Sequence, residues 1–260
     1  MNSEILRATV LRLAVPLASV AGILGTWQIA TATFGLISPL TLPSPEQVMH
    51  TAIRLSTTTY AGTTLASNVW ASLQVVIAGW LLGVAIGVPL GVLMGWSART
   101  RDYITPVIEI LRPIPPPAWI PFAVLWFGIA PQGRIFVIAM AAVMPCIVNA
   151  YGAVRGHDGT LVEAARCLGA GERQIVMGVV LPTSMPNILA GIRIALGNAW
   201  MTVVAAELVA SSAGLGFMLI QAQYAIQPSV VLVCMTLIGL IGILLSIALA
   251  AIERWLCAWR

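Results

Sequence analysis

Charge is so sparse along this chain that its long apolar intervals settle the class of structure before any motif is read. Thirteen basic and nine acidic residues are spread over 260 positions, 8% of the sequence, where a soluble domain carries about a quarter. A bilayer-crossing helix needs roughly 20 apolar residues. Six intervals reach about that length, at 13–33, 70–96, 105–128, 134–152, 187–209 and 229–252. The sequence therefore predicts an all-α membrane protein, a single transmembrane domain (1–260) of six helices. The third interval is the least regular, because it carries Pro113, Pro115, Pro116, Pro117 and Pro121. Such a run breaks a soluble helix, but a membrane protein tolerates broken helix where protein or a cavity satisfies the freed backbone.

Every basic residue is an arginine. Without lysine the chain has no P-loop, which needs G-x-x-x-x-G-K-[ST], and no Schiff-base nucleophile. A net charge of +4 would suggest nucleic acid in a soluble protein, but cytoplasmic loops of membrane proteins collect the same excess. No nucleic-acid partner is expected. Arg7, Arg12, Arg99, Arg101, Arg112, Arg155, Arg166, Arg173, Arg193, Arg254 and Arg260 fall at or just inside one face, against Arg54 and Arg134 at the other. The positive-inside rule then puts both termini in the cytoplasm. The first apolar run is too long for a signal-peptide core of about 7–15 residues, and is read as the first span.

Cys146, Cys167, Cys234 and Cys257 show no C-x-x-C spacing, and His50 and His157 fall in loops on opposite sides. Neither disulfides nor a metal site are expected. Gly79, Gly83, Gly87, Gly91 and Gly95 recur every four residues through the second span, which lays a groove along one helix face for close approach of another helix. Packing within one bundle is favoured over a dimer seam. Pro89 predicts a local kink there.

Between the fourth and fifth spans lies a loop too long for a turn, holding Arg155, Asp158, Glu163, Arg166, Glu172 and Arg173. Thr160 and Glu163 have capping-box spacing, so a short helix should start at Thr160, with Gly169 placed to end it in a left-handed cap. A second helix is expected from about Glu172 to Val180, ended by Leu181-Pro182 and Pro186. Exposed in the cytoplasm, the pair could lie on the membrane surface or dock a partner.

Glu163-Ala164-Ala165, Gly169, Val179, Leu181 and Pro182 together resemble the EAA motif of binding-protein-dependent ABC importer permeases, with Val179 where isoleucine is common. The resemblance implies a type I importer permease fold, with residues 158–182 forming a cytoplasmic coupling helix that sits in a cleft of a separate ATPase subunit. Two copies of the chain, two ATPase subunits and a periplasmic binding protein would make the complete importer in a bacterial inner membrane. ATP and magnesium would belong to the ATPase, with no cofactor in this chain and no enzymatic activity of its own. Further stretches narrow the resemblance to the taurine, aliphatic sulfonate and nitrate permeases. They are Leu36-Ile37-Ser38-Pro39-Leu40 with Leu42-Pro43, Glu109–Pro115 with Trp119-Ile120-Pro121, and Val203–Leu208 with Gly214–Met218. They favour the taurine branch, although relatives in the wider family carry nitrate, aromatic acids or pyrimidine precursors.

Ionisable residues inside spans are costly and are functional candidates by default, which singles out Arg193 and Glu207. Asn198 and Thr202 mark a second polar stripe, half a turn away from Glu207 at 100° per residue. The pathway is assigned to Asn198, Thr202 and neighbouring Trp200. Glu207 would be a gate or an anchor of the periplasmic segment, since a carboxylate in the path would repel a sulfonate. Arg112 could attract an anion, but its place beside the cytoplasmic end of the third span favours orienting that helix or pairing with Glu109, and Trp126 is read as an interfacial anchor. The 35–68 segment is placed on the periplasmic surface as a binding-protein docking region. An ion-driven secondary transporter would need mid-membrane carboxylates, of which only Glu207 is available. A membrane-embedded enzyme finds no catalytic constellation.

Overall fold

The computed structural model describes residues 18–34, 38–156 and 159–257, and they are helical with no strand among them. Arg7, Arg12, Leu36, Ile37, His157, Asp158 and Arg260, invoked above, lie outside the described residues. Among the described residues, four helices are long and apolar enough to cross a membrane: Leu65–Trp96, Pro131–Arg155, Glu172–Val209 and Pro228–Leu256. The shortest has 25 residues, a rise of about 38 Å at 1.5 Å per residue, more than the roughly 30 Å of a hydrocarbon core.

The chain divides into two compact units, Met1–Leu65 with Met218–Thr236, and Ala66–Phe217 with Leu237–Arg260. In the first, α1 (18–33) ends in a π-helical turn, Ile29–Thr33, and Trp27 Nε1 donates to the Pro43 carbonyl at 3.1 Å. Pro43 thereby fixes the entry to α2 (Pro45–Thr57). Ser44 and Gln47 close a reciprocal capping box at the start of α2, with Pro45 at its first position, where a missing N–H costs nothing.

The second unit is built on α3 (Leu65–Trp96) and α6 (Pro131–Arg155). A Cβ added to Gly79, Gly83, Gly87 or Gly95 would come within 2.5–2.7 Å of the Cβ of Ile138, Ala142, Cys146 or Val154, and one added to Gly91 within 2.8 Å of that of Ala150. Both series advance by four, so the glycine face is filled by one neighbouring helix of the same chain, running parallel to α3. Parallel neighbours require the intervening segment to return across the thickness of this unit. It does so in pieces: α4 (Ala98–Leu111), a 3₁₀ turn over Pro116–Trp119, and α5 (Ile120–Phe127). Prolines 113, 115, 116 and 117 lack the N–H groups that would carry α4 onward.

Next come α7 (Gly159–Cys167), α8 (Glu172–Ile175), a π-helical turn at Val176–Val180, and α9 (Leu181–Val209). Pro182 and Pro186 do not end a helix here, contrary to the sequence expectation. Helix continues from Glu172 to Val209 over 38 residues. The π turn explains it for Pro182, whereas Pro186 sits inside the α-helix itself. With Leu181 N–H bonded to Val176 O, the widened turn accommodates the proline ring that an α-helical turn would clash with. Thr183 Oγ then donates to the Val179 carbonyl at 2.8 Å. α9 lies antiparallel to α6: Ser184 Oγ donates to Ala153 O at 3.1 Å, Ala195 packs with Ala142 and Cys146, and Ala206 packs with Val137. After α10 (Leu215–Tyr224), α11 (Pro228–Leu256) completes the chain.

Candidate functional site

At one end of the second unit, α7 is closed by a complete Schellman motif. Gly169 N–H donates to Arg166 O at 2.9 Å, Ala170 N–H reaches back to Ala165 O at 3.0 Å, and Gly169 has φ +81°, a conformation glycine adopts without steric cost. The helix begins at Gly159, one residue earlier than the capping-box spacing suggests, so Thr160 lies in its first turn. Val162 of α7 and Ile175 and Val180 beyond it form a buried cluster with Val154, and Val92, Trp96, Ala165 and Ala170 pack against it. The loop is thus seated on the ends of α3 and α6. Glu163 and Ala164 face outward, Ala165 and Val179 are half-buried, and Leu181 and Pro182 open α9. Arg166 and Glu172 pair at 3.0 Å across the turn. Leu168, 88% exposed, stands among these charges with Leu161 and Met177 also exposed. An apolar knob ringed by charge on a rigid hairpin suits a protein partner.

At the opposite end, Glu207 is 1% exposed. Ser72 Oγ lies 2.8 Å from both of its carboxylate oxygens, Gly216 N–H donates to it at 2.9 Å, and Arg134 Nη1 stands 3.7 Å away. Arg134 Nη1 also donates to Ser211 Oγ at 2.8 Å. The next amides are held alongside: Gly214 N–H by Asn68 Oδ1 and Leu215 N–H by Ser72 Oγ, both at 2.9 Å. Three successive N–H groups at the start of α10 are therefore capped by side chains from α3 and α9. Gly214 has φ +124°, and any Cβ there would fall on the Glu207 carboxylate. Sequence reasoning singled out Glu207 but missed Asn68, Ser72 and Arg134, whose roles exist only because α3, α6 and α9 converge here.

The pathway residues do not share one face. Asn198 is exposed and lines a cavity of about 330 Å³ between the 111–119 break, the middle of α6 and the middle of α9. Trp200 is buried and turned toward α11, with Nε1 donating to Ile238 O at 3.0 Å and its ring filling the space beside Gly242. Thr202 is buried and bonds the Asn198 carbonyl within its own helix at 2.7 Å. Two residues of helix turn a side chain by about 200°, which is why Asn198 and Trp200 cannot line one cavity. Arg193 pairs with Glu253 of α11 at 3.0 Å. Arg112 does not pair with Glu109, nor does it sit at the end of a span. Because α4 already begins at Ala98, Arg112 is carried to the level of Met140–Asn149 and lines the same cavity. Trp126 is 68% exposed at the end of α5 and packs on Phe122 at a tilt of 42°, with ring centroids 4.4 Å apart.

Residues 87–258 match the family described as binding-protein-dependent transport system inner membrane component. The chain belongs to the ABC importer permeases. An ABC transporter permease of Methanocaldococcus jannaschii is 41% identical over 86% of this chain and 84% of its own length. The taurine transport system permease protein TauC of Escherichia coli is 37% identical over 93% of this chain and 88% of its own. The nitrate import permease NrtB of Synechocystis is 30% identical over 92% and 87%. Among solved structures, the inward-facing MetNI methionine ABC transporter superposes with a TM-score of 0.66 at 26% identity, covering 74% of this chain and 95% of that one. Like its relatives, this permease is a membrane transport subunit and not itself an enzyme.

Proposed function

We infer that this permease imports taurine or a related alkanesulfonate across a bacterial inner membrane. Two copies form the pore, with six spans each and cytoplasmic termini. Two ATPase subunits clamp the 158–182 loops, and a periplasmic binding protein delivers the solute. The observation that carries the coupling assignment is the seated hairpin. Its inner face is packed into the ends of α3 and α6, so a push on the outer face is transmitted to the spans rather than absorbed by a flexible loop. Closure of the ATPase pair would bias two packings of the spans, a shift between states rather than covalent chemistry. The taurine assignment rests on the resemblance of the chain to TauC. Glu207 is assigned as an anchor, since its carboxylate is occupied by Ser72, Gly216 and Arg134.

The test is uptake of labelled taurine by the complete complex in proteoliposomes, with binding protein on one side and ATP on the other. Taurine accumulation dependent on both supports the reading, and accumulation of nitrate or methionine alone would replace the substrate. Gly169→Val should abolish uptake and ATPase assembly while leaving membrane insertion intact. Normal uptake by that variant would remove the coupling role.

A further inference from the structure

Arg193 and Glu207, the charged groups of α9, have opposite charges beside them, but the Arg112 guanidinium after α4 has no ion pair or hydrogen bond among the described residues. It follows the last residue of α4 at the break, exposed where it lines the cavity and level with the middle of α6, a depth at which an uncompensated cation in a membrane protein is expensive. The end of the α4 dipole offsets part of this cost, but it does not account for what surrounds the cation. Asn149 and Asn198 line the same cavity with Trp119, Met140 and Met144, and no acidic side chain among the described residues does. Asn149 spends one amide proton on the Pro145 carbonyl at 2.8 Å and keeps the other. The Asn198 side chain makes no hydrogen bond among the described residues. A fork-shaped cation and two amides, walled by apolar side chains and free of carboxylate, are the groups that hold a compact oxyanion.

We propose that Arg112, Asn149 and Asn198 form an anion-coordinating way station in the solute path, holding the sulfonate head of the cargo between release by the binding protein and exit. This deepens the functional reading above and rests on it. The site supplies a counter-charge to an anion crossing a low-dielectric region, and it is weak enough to release because one cation and two neutral donors face it.

The test uses the complete complex in proteoliposomes, with taurine uptake and binding-protein-stimulated ATPase measured on each variant. Arg112→Gln should lower taurine uptake per ATP hydrolysed at least tenfold, and Arg112→Lys should recover part of it. Asn198→Asp, nearly isosteric, places a carboxylate in the cavity and should lower uptake per ATP by a similar factor. Arg112→Gln and Asn198→Asp complexes that both transport as the wild type overturn the site. So does a parallel fall of uptake and ATPase in both, which marks a structural role. A wild-type complex that carries nitrate but not taurine overturns the taurine reading alone, and the same variants then decide the site on nitrate. A wild type that carries only neutral or cationic solutes overturns both.

Discussion

Glu207 shows what a single buried carboxylate can organise. It receives Gly216 N–H and Ser72 Oγ and faces Arg134, so its removal leaves a cation without its counter-charge and a backbone donor without its acceptor. Breaking a buried pair from one side costs about 3–5 kcal/mol. Glu207→Ala should therefore lower the thermal stability of the purified complex far more than Glu207→Gln, which keeps the volume and one acceptor. Equal stability of the two, read by the loss of monodisperse complex on heating, would remove the anchor. Gly169 depends on backbone conformation alone, since nothing lies within 4 Å of the position its Cβ would take. Gly169→Ala should cost about 1 kcal/mol through the left-handed conformation and leave uptake measurable, in contrast to Gly169→Val. The sequence marked both residues, Glu207 by its charge in an apolar run and Gly169 by its place after a short helix. The cap that Gly169 makes is local and was legible, whereas what Glu207 holds was not, because its partner Ser72 lies 135 positions away.

Among the elements, the α3–α6 seam and the Glu172–Val209 helix carry opposite lessons. The four-residue glycine spacing predicted a close helix contact, and the partner proves to be α6. At Gly87 a Cβ would sit 2.6 Å from Cys146 Cβ and 2.7 Å from the Val143 carbonyl, so the helices must separate. Gly87→Ala should destabilise by about 1–3 kcal/mol. Gly239→Ala, inside α11 with nothing within 4 Å, should be neutral or stabilising by up to about 1 kcal/mol. Comparing the two midpoints of heat-induced aggregation checks the seam. Pro182 misleads a reading by sequence for the converse reason. The π turn at Val176–Val180 widens the helix just ahead of Pro182, and Ile175 and Val180 both lie in one buried cluster with α6.

At the level of the whole molecule, the predictions concern sidedness and assembly. Cys167 is exposed in the loop at the end of α7, and the proposed topology makes that face cytoplasmic. A membrane-impermeant maleimide should label Cys167 in inside-out vesicles and not in right-side-out ones, with Cys257 as the second thiol of the same face. The reverse pattern would invert the topology. Leu168→Glu should leave the permease in the membrane but reduce co-purification of the ATPase several-fold, because it places a charge at an exposed apolar point of the proposed docking face. Undiminished ATPase recovery would move the docking face elsewhere.

The sequence by itself determined the solvent, the helical class and the family, and it marked the loop proposed to dock the ATPase. Each of these is carried by local signals: apolar length, charge spacing, a helix-ending glycine and a contiguous motif. Only the tertiary structure decided which groups meet. It placed Arg112 and Asn198 on one cavity and turned Trp200 to α11. It gave Glu207 its partners and filled the glycine groove from within the same chain. Such pairings depend on the register and direction of helices distant in sequence, and that information is held in the packing of all of them at once. Arg112, one of the eleven arginines that the sequence placed at or just inside one face, is carried by packing to the level of the middle of α6.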